Sequence, residues 1–391
     1  MNTKSLVLAG AIGLGAISMA QAASVVYMTG STAGRKAVYT TLVDNNTVFD
    51  STPTVVFQGS GSTSAAGTAD GASYINYSGN VGGVATVLKC AWSGSEGGIA
   101  DIAGSGTENF LDDTAVTYTD GTKPGPFVSA SVQLAAADND KAYSKNPSAA
   151  ITGTKVGIIP FKWLAQKGSA AALTGVTDSA LRVALGGGTK LALFTGNSAD
   201  TTRVYVSGRD DNSGTRVNAL GNTGFGIFSS VSQLQVNANG SMTDQGGGTY
   251  LGNYGYSGGG DLATQLGVSL DQSVNPNAKD VSPFGDGSSP YSVVAYAGIS
   301  DANSAVGKGA TVLTYNGVPF SIAAIKEGQY TFWGNYYIYK KNSGLSTEAG
   351  TIYNKLTGAT GVKSHADDTV LIKTTSMHAT RTSPVADPTH N

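Results

Sequence analysis

Eight consecutive residues, Arg209-Asp210-Asp211-Asn212-Ser213-Gly214-Thr215-Arg216, gather two guanidiniums, two carboxylates, an amide and two hydroxyls around one glycine. They lie between a strand-like run at 202–207 and a predicted helix start. A helix N-terminus leaves backbone N–H donors unpaired at the positive end of the helix dipole, so an anion placed there is stabilised. Ser213 and Thr215 add hydroxyl donors, and Gly214 lets a ligand approach the backbone closely. Arg209 supplies a planar fork matched to two oxygens of a phosphate or carboxylate, and Asp211 is placed to hold that fork. Taken alone, the segment reads equally as an Asp/Asn/Ser/Gly turn running into an N-cap. A calcium loop is disfavoured because the terminal Glu is missing and Arg209 and Arg216 crowd the site with positive charge.

Three further loops share the pattern, at 29–32, 93–98 and 135–138. Each follows a predicted strand and carries hydroxyls, glycines or an Asp ahead of a possible helix. In open α/β sheets, ligands bind beyond the carboxyl ends of the strands, where such loops converge. Around them, short β-rich runs at 24–28, 84–92, 127–134, 156–160, 191–195 and 203–207 alternate with helical segments at 33–43, 99 onward and 170–185. That alternation predicts an α/β class. Residues 54–58 and 73–77 read as an inserted hairpin between Asp50 and Gly83. Glycine-rich chain at 221–287 reads as loops, and strand patterns return at 291–297, 310–315 and 330–339. Trp92, Trp163, Trp333, Tyr336, Tyr337 and Tyr339 read as packing residues.

Composition narrows the function. Lys4, an apolar stretch at 6–19 and Ala20-Gln21-Ala22 ahead of Ala23 predict a secretory signal peptide at 1–22, hence a periplasmic or secreted protein. No later run is apolar enough to span a bilayer. The roughly 370 residues that remain exceed what one hydrophobic core usually serves, so two lobes are expected. The single cysteine, Cys90, excludes an intrachain disulfide and reads as a core residue. A net charge of -2 with 13% charged residues gives no basic field for nucleic acid, so an anion site must be local. Three His, all late in the chain, and four Glu leave few general bases and no Cys/His metal set. No catalytic residue, metal or cofactor is assigned. A hydrolase reading of Ser95 fails because Ser93 stands where a nucleophile elbow needs Gly.

The four loops, in order, resemble those of the periplasmic phosphate-binding proteins of ABC transporters, which are type II solute-binding proteins. Arg209-Asp210-Asp211-Asn212-Ser213-Gly214-Thr215 is similar to that family's Arg-Ala-Asp-Gly-Ser-Gly-Thr, and Ser93-Gly94-Ser95-Glu96-Gly97-Gly98-Ile99 to its Gly-Ser-Ser-Gly-Gly-Ile. Gly30-Ser31-Thr32 stands at the first phosphate loop, and Ala137-Asp138 resembles the family's Ser-Asp. Tyr315-Asn316-Gly317-Val318 with Ile325-Lys326-Glu327-Gly328-Gln329-Tyr330 resembles the family's Asn-Gly-Val through Ile-x-x-Gly-x-Tyr-Pro. The resemblance implies phosphate contacts from Ser31, Thr32, Ser95, Arg209, Ser213, Gly214 and Thr215, with Asp211 in support and Asp138 accepting the hydrogen of a protonated phosphate. The first loop continues as Ala33-Gly34-Arg35-Lys36 where the family has Phe-Pro. Glu96 sets a carboxylate in an anion loop, which demands that it turn outward or be compensated by Arg35 or Lys36.

The resemblance implies a two-lobed type II fold, each lobe a mixed sheet flanked by helices with the ligand between them. Lobe 1 comprises 23–156 and 291–378, and lobe 2 comprises 157–290, with crossings near Val156 and Tyr291. A tail at 379–391, rich in Thr and Pro, is expected to be disordered. The expected ligand is inorganic phosphate or a related oxyanion, and the expected partners are the membrane subunits of an ABC transporter, with the protein itself a monomer. Two alternatives stand beside this: a secreted surface or matrix protein reusing the fold, for which 54 Gly and 18 Tyr would suit exposed loops, and a phosphatase.

Overall fold

The computed structural model describes residues 23–60, 68–104, 106–117 and 125–390; the predicted signal peptide lies outside them. The first part of the chain forms β1 (Ser24–Gly30), α1 (Arg35–Val43), β2 (Thr54–Ser60), β3 (Ala72–Val81), β4 (Val84–Ala91), α2 (Ser95–Ala103), β5 (Thr107–Leu111), β6 (Phe127–Ser131), β7 (Leu134–Ala137) and β8 (Ile151–Ala165). The middle forms β9 (Gly175–Val176), α3 (Asp178–Leu185), β10 (Thr189–Lys190), α4 (Ala192–Thr195), β11 (Arg203–Ser207), α5 (Gly214–Asn222), β12 (Gln235–Val236), β13 (Met242–Thr243) and α6 (Gly259–Leu266). The last part forms β14 (Tyr291–Gly298), α7 (Ile299–Gly307), β15 (Thr311–Val312), β16 (Thr314–Tyr315), α8 (Ile322–Lys326), β17 (Trp333–Lys341), α9 (Thr347–Thr357), β18 (Ala379–Thr380) and β19 (Thr389–His390).

The principal strands run in the order β10-β11-β14-β8-β17-β7-β1-β4-β3-β2, with β15 also on β8. Pairing is mixed. β1 is parallel to β4 and β7, and β11 is parallel to β14, whereas β17 and β14 run antiparallel to β8. The long strand β8 serves both halves: its residues 151–160 pair with β17 and its residues 161–165 with β14. It can do so because Ile158-Ile159-Pro160-Phe161-Lys162-Trp163-Leu164 is buried continuously, as a strand covered on both faces must be. This is the mixed α/β class expected from the sequence.

Where β8 passes from one half to the other, Phe161, Trp163, Tyr296, Tyr315, Tyr330 and Phe332 pack ring on ring. The centroid of Trp163 lies 5.0 Å from that of Phe332 and 5.5 Å from that of Tyr296. Contacts of this kind add about 0.5–1.5 kcal/mol per pair to the burial of the rings themselves.

Several expectations change. Residues 291–298 pair with β11 and with residues 161–165 of β8, and β15 also joins β8. Residues 192–195, expected as strand, form a helical turn closed by Gly196 at φ 74°. The run 127–134 divides into β6, which pairs with β5, and β7, which enters the main sheet.

The tail expected to be disordered is packed instead. β18 pairs with β19, Arg381 Cζ lies 4.2 Å from the centre of the Trp333 ring, and Arg381 Nη1 donates to Asn222 Oδ1 and Thr331 O. The expected hairpin appears as the antiparallel pair β2 and β3, which extends the sheet beyond β4. Cys90 is a buried core residue of β4.

Candidate oxyanion-binding site

The loops singled out by their chemistry meet at the carboxyl ends of β1, β4, β7 and β11. The turn after β11 is pinned first. Asp210 Oδ1 accepts from Asn212 N at 3.2 Å, and Ser213 Oγ caps α5 by accepting from Arg216 N at 3.3 Å. Arg209, 2% exposed, donates through Nε to Tyr256 O at 2.9 Å and through Nη2 to Ser257 O at 2.5 Å. These two bonds fix the plane of the guanidinium and leave Nη1 without a hydrogen-bond partner among the described residues.

Opposite it, the loops of the first half converge on Asp138. The Asp138 carboxylate accepts from Ser31 Oγ through one oxygen and from Thr215 Oγ1, at 3.1 Å, through the other. Its backbone N–H donates to Ser95 Oγ at 2.9 Å. Ser95 begins α2 and Gly214 begins α5, and these two helix starts are in contact: a Cβ added to Gly214 would stand 2.4 Å from Ser95 Oγ. Glu96 N also donates to Asn212 O across the same junction, at 2.8 Å. Two helix N-termini, each the positive end of a peptide dipole, therefore meet beside Asp138, within the electrostatic reach of Arg209.

Burial pushes the Asp138 carboxyl up to about 6, although the Ser31 and Thr215 hydroxyls and the nearby Arg209 pull it the other way. Desolvation wins because the carboxylate is sealed from water while only two hydroxyls and a more distant charge replace its hydration.

Glu96 does not enter the anion space. Its carboxylate accepts from Asn139 Nδ2 at 2.7 Å and from Lys145 N at 2.8 Å, and burial raises its protonation tendency. Neither Arg35 nor Lys36 compensates it; Lys36 pairs with Asp70 at 3.1 Å. The expected supporting role of Asp211 gives way to a different contact, an exposed ion pair with Lys145 at 2.7 Å, on the rim and away from the Arg209 fork. Of the residues expected at the site, Ser31, Ser95, Gly214 and Thr215 are joined to Asp138 directly or through one another and Arg209 acts on it electrostatically, whereas Ser213 caps α5 and Thr32 makes no side-chain bond to the others. Thr32 Oγ1 is buried without a hydrogen-bond partner.

Motif reading missed Asn218, whose Nδ2 ties Asp138 O to Gly214 O at 3.0 and 2.9 Å, and the Tyr256-Ser257 carbonyls that orient Arg209. It also missed the partly buried charges Arg35, Asp261 and Asp301, which interact with one another and with Arg209. The histidines lie elsewhere: His365 faces Asp44, while His378 and His390 face Glu327. Ser95 thus has no imidazole to activate it. No group of three or more His, Cys, Asp or Glu residues suited to a metal occurs among the described residues, and no helix there is long and apolar enough to cross a membrane.

No family model matches the chain, and no curated protein matches it in sequence. Solved structures do match in shape. One, described as a phosphate ABC transporter substrate-binding protein with bound phosphate from Clostridium perfringens, aligns over 90% of this chain and 99% of its own, at 12% identity and a TM-score of 0.51. Another, described as an ABC-type phosphate transport receptor from Vibrio cholerae, aligns over 89% of this chain and 99% of its own, at 10% identity and a TM-score of 0.45. The chain has the two-lobed α/β fold of the Clostridium perfringens substrate-binding protein.

Proposed function

We propose that this protein captures inorganic phosphate, or a closely similar oxyanion, between its two halves and delivers it to the membrane subunits of an ABC importer. The carrying observation is the convergence of Ser31, Ser95, Arg209, Thr215 and two helix N-termini on Asp138. A dianion stripped of water needs a directed donor for each oxygen, because every unpaired oxygen forfeits its hydration. Backbone N–H groups, hydroxyls and the Arg209 fork make up that set. The Ser95 and Ser213 oxygens accept bonds in the ligand-free arrangement, but each hydroxyl retains its own hydrogen to donate.

Asp138 acts as the filter. It accepts a hydrogen from a protonated phosphate and repels an anion without one, such as sulfate, so selectivity comes from an unpaired-charge penalty against the wrong ligand. The halves, roughly 23–160 with 333–378 and 161–332, move as lobes about β8 and the 330–333 segment. Capture requires no covalent step, and the protein acts after export, as a monomer.

The fold match to a protein crystallised with phosphate supports this reading. Purified protein from phosphate-containing medium, once denatured, is expected to release about one inorganic phosphate per chain. Release of none, together with no calorimetric response to added phosphate, would refute the proposal.

A further inference from the structure

Beside the Asp138 and Arg209 constellation lies a cavity of about 160 Å³ formed by both halves. Thr32, Arg35, Tyr74, Trp92 and Glu108 line it from one half, and Ser257 and Asp261 from the other. It adjoins the anion space directly, since Thr32 belongs to the first loop and Ser257 O holds Arg209. Free phosphate would leave this volume unused. It is close to the ~150 Å³ cavity that accommodates a benzene-sized molecule, so a substituent of a few heavy atoms fits.

The lining has a definite chemistry. Two carboxylates, Glu108 and Asp261, share the wall with one guanidinium, Arg35; Asp261 lies in the field of Arg35 and Arg209, whereas Glu108 forms no ion pair among the described residues. Among the described residues Glu108 accepts only from its neighbour Asn109 N, at 2.9 Å, and Arg35 donates to Ala72 O at 3.4 Å. Two aromatic rings complete the wall, and Tyr74 is held in place by Phe127, with ring centroids 4.9 Å apart. Trp92 Nε1 and Thr32 Oγ1 are buried without hydrogen-bond partners. A polar ligand group in the cavity would give either atom a partner. Carboxylates beside aromatic faces suit an ammonium group, which gains from both charge and the ring quadrupole.

We propose that the cavity receives the substituent of a short phosphate monoester bearing an ammonium group, so that the site takes an aminoalkyl phosphate in preference to free phosphate. This rests on the phosphate reading of the neighbouring loops. The phosphoryl group sits at Asp138 and Arg209 as the monoanion, which keeps one O–H for Asp138 to accept; the short alkyl segment crosses Trp92 and Tyr74, and the ammonium group lies between Glu108 and Asp261.

The test is calorimetric titration of the purified, ligand-stripped protein and of Glu108→Gln with inorganic phosphate, 2-aminoethyl phosphate and glycerol 3-phosphate. Expected is binding of 2-aminoethyl phosphate roughly tenfold or more tighter than either other ligand, a preference that Glu108→Gln reduces to about threefold or less while inorganic phosphate binds both proteins alike. Inorganic phosphate binding as tightly as 2-aminoethyl phosphate overturns the proposal, and so does glycerol 3-phosphate binding as tightly as the amine. Failure of all three ligands to bind would instead remove the phosphate reading on which it rests.

Discussion

Asp138 and Thr215 come from opposite halves of the molecule, one at the end of β7 and the other in the first turn of α5, and they meet at 3.1 Å. A sealed carboxylate with a hydroxyl donor on each oxygen and only the more distant Arg209 for a cation is costly when ionised. That cost appears in its carboxyl being raised to about 6. The folded, ligand-free protein therefore holds this proton more tightly than the unfolded chain, whose Asp titrates near 3.9. The penalty is absent below about pH 4, grows as pH rises to about 6, and is complete above that. Asp138→Asn is expected to stabilise the ligand-free protein at pH 8 by about 2–3 kcal/mol and to have little effect at pH 4. Denaturant midpoints at the two pH values check this; equal midpoints for both proteins at pH 8 would contradict it.

Arg209→Lys keeps the charge but loses the fork. Lysine cannot make the paired bonds to Tyr256 O and Ser257 O that set the plane of the guanidinium. Phosphate affinity is expected to fall about ten- to a hundredfold, or about 1.4–2.8 kcal/mol, with little change in melting temperature.

Asp211→Ala separates the motif reading from the geometry. An Asp supporting Arg209 would matter to binding, whereas an exposed pair with Lys145 contributes about 0–1 kcal/mol at most. Phosphate affinity within about twofold of wild type is the expected result.

Removal of residues 379–391 should destabilise the protein. The segment brings Arg381 over Trp333 and bonds it to Asn222 and Thr331, while Ser383 and Pro384 are buried beside the Asp138 loop and Gly334. A loss of about 2–4 kcal/mol, read from denaturant unfolding, is expected from the cation–π contact, the hydrogen bonds and the apolar area uncovered.

The anion loops were legible because their chemistry is local. A strand followed by Ser-Thr, Ser-Gly-Ser or Asp-Asn-Ser-Gly-Thr reads the same before and after folding, and Ser31, Ser95 and Thr215 indeed surround Asp138. The passage between halves was not. The buried run of β14 suits either half equally well, and only its pairing with β11 and residues 161–165 of β8 assigns it. Residues 191–195 are too few to distinguish strand from helix by period, and Gly196 decided the matter by adopting φ 74°. The tail misled because Thr and Pro suggest disorder, while its anchors, Arg381 over Trp333 with bonds to Asn222 and Thr331 and the buried Ser383 and Pro384, depend on residues distant in sequence. Tyr256, Ser257 and Asp261 come from the glycine-rich stretch that carried no motif, and Tyr74 and Glu108 come from strands whose proximity depends on long-range pairing.

The central claim is that one oxyanion is held by both halves through Arg209 and Asp138. Calorimetric titration of wild type and Arg209→Ala with phosphate and sulfate tests it most directly. Wild type is expected to bind phosphate at least about a hundredfold more tightly than sulfate, and Arg209→Ala to lose at least about tenfold in phosphate affinity. Equal phosphate affinity in the two proteins, or sulfate bound as tightly as phosphate, would contradict it.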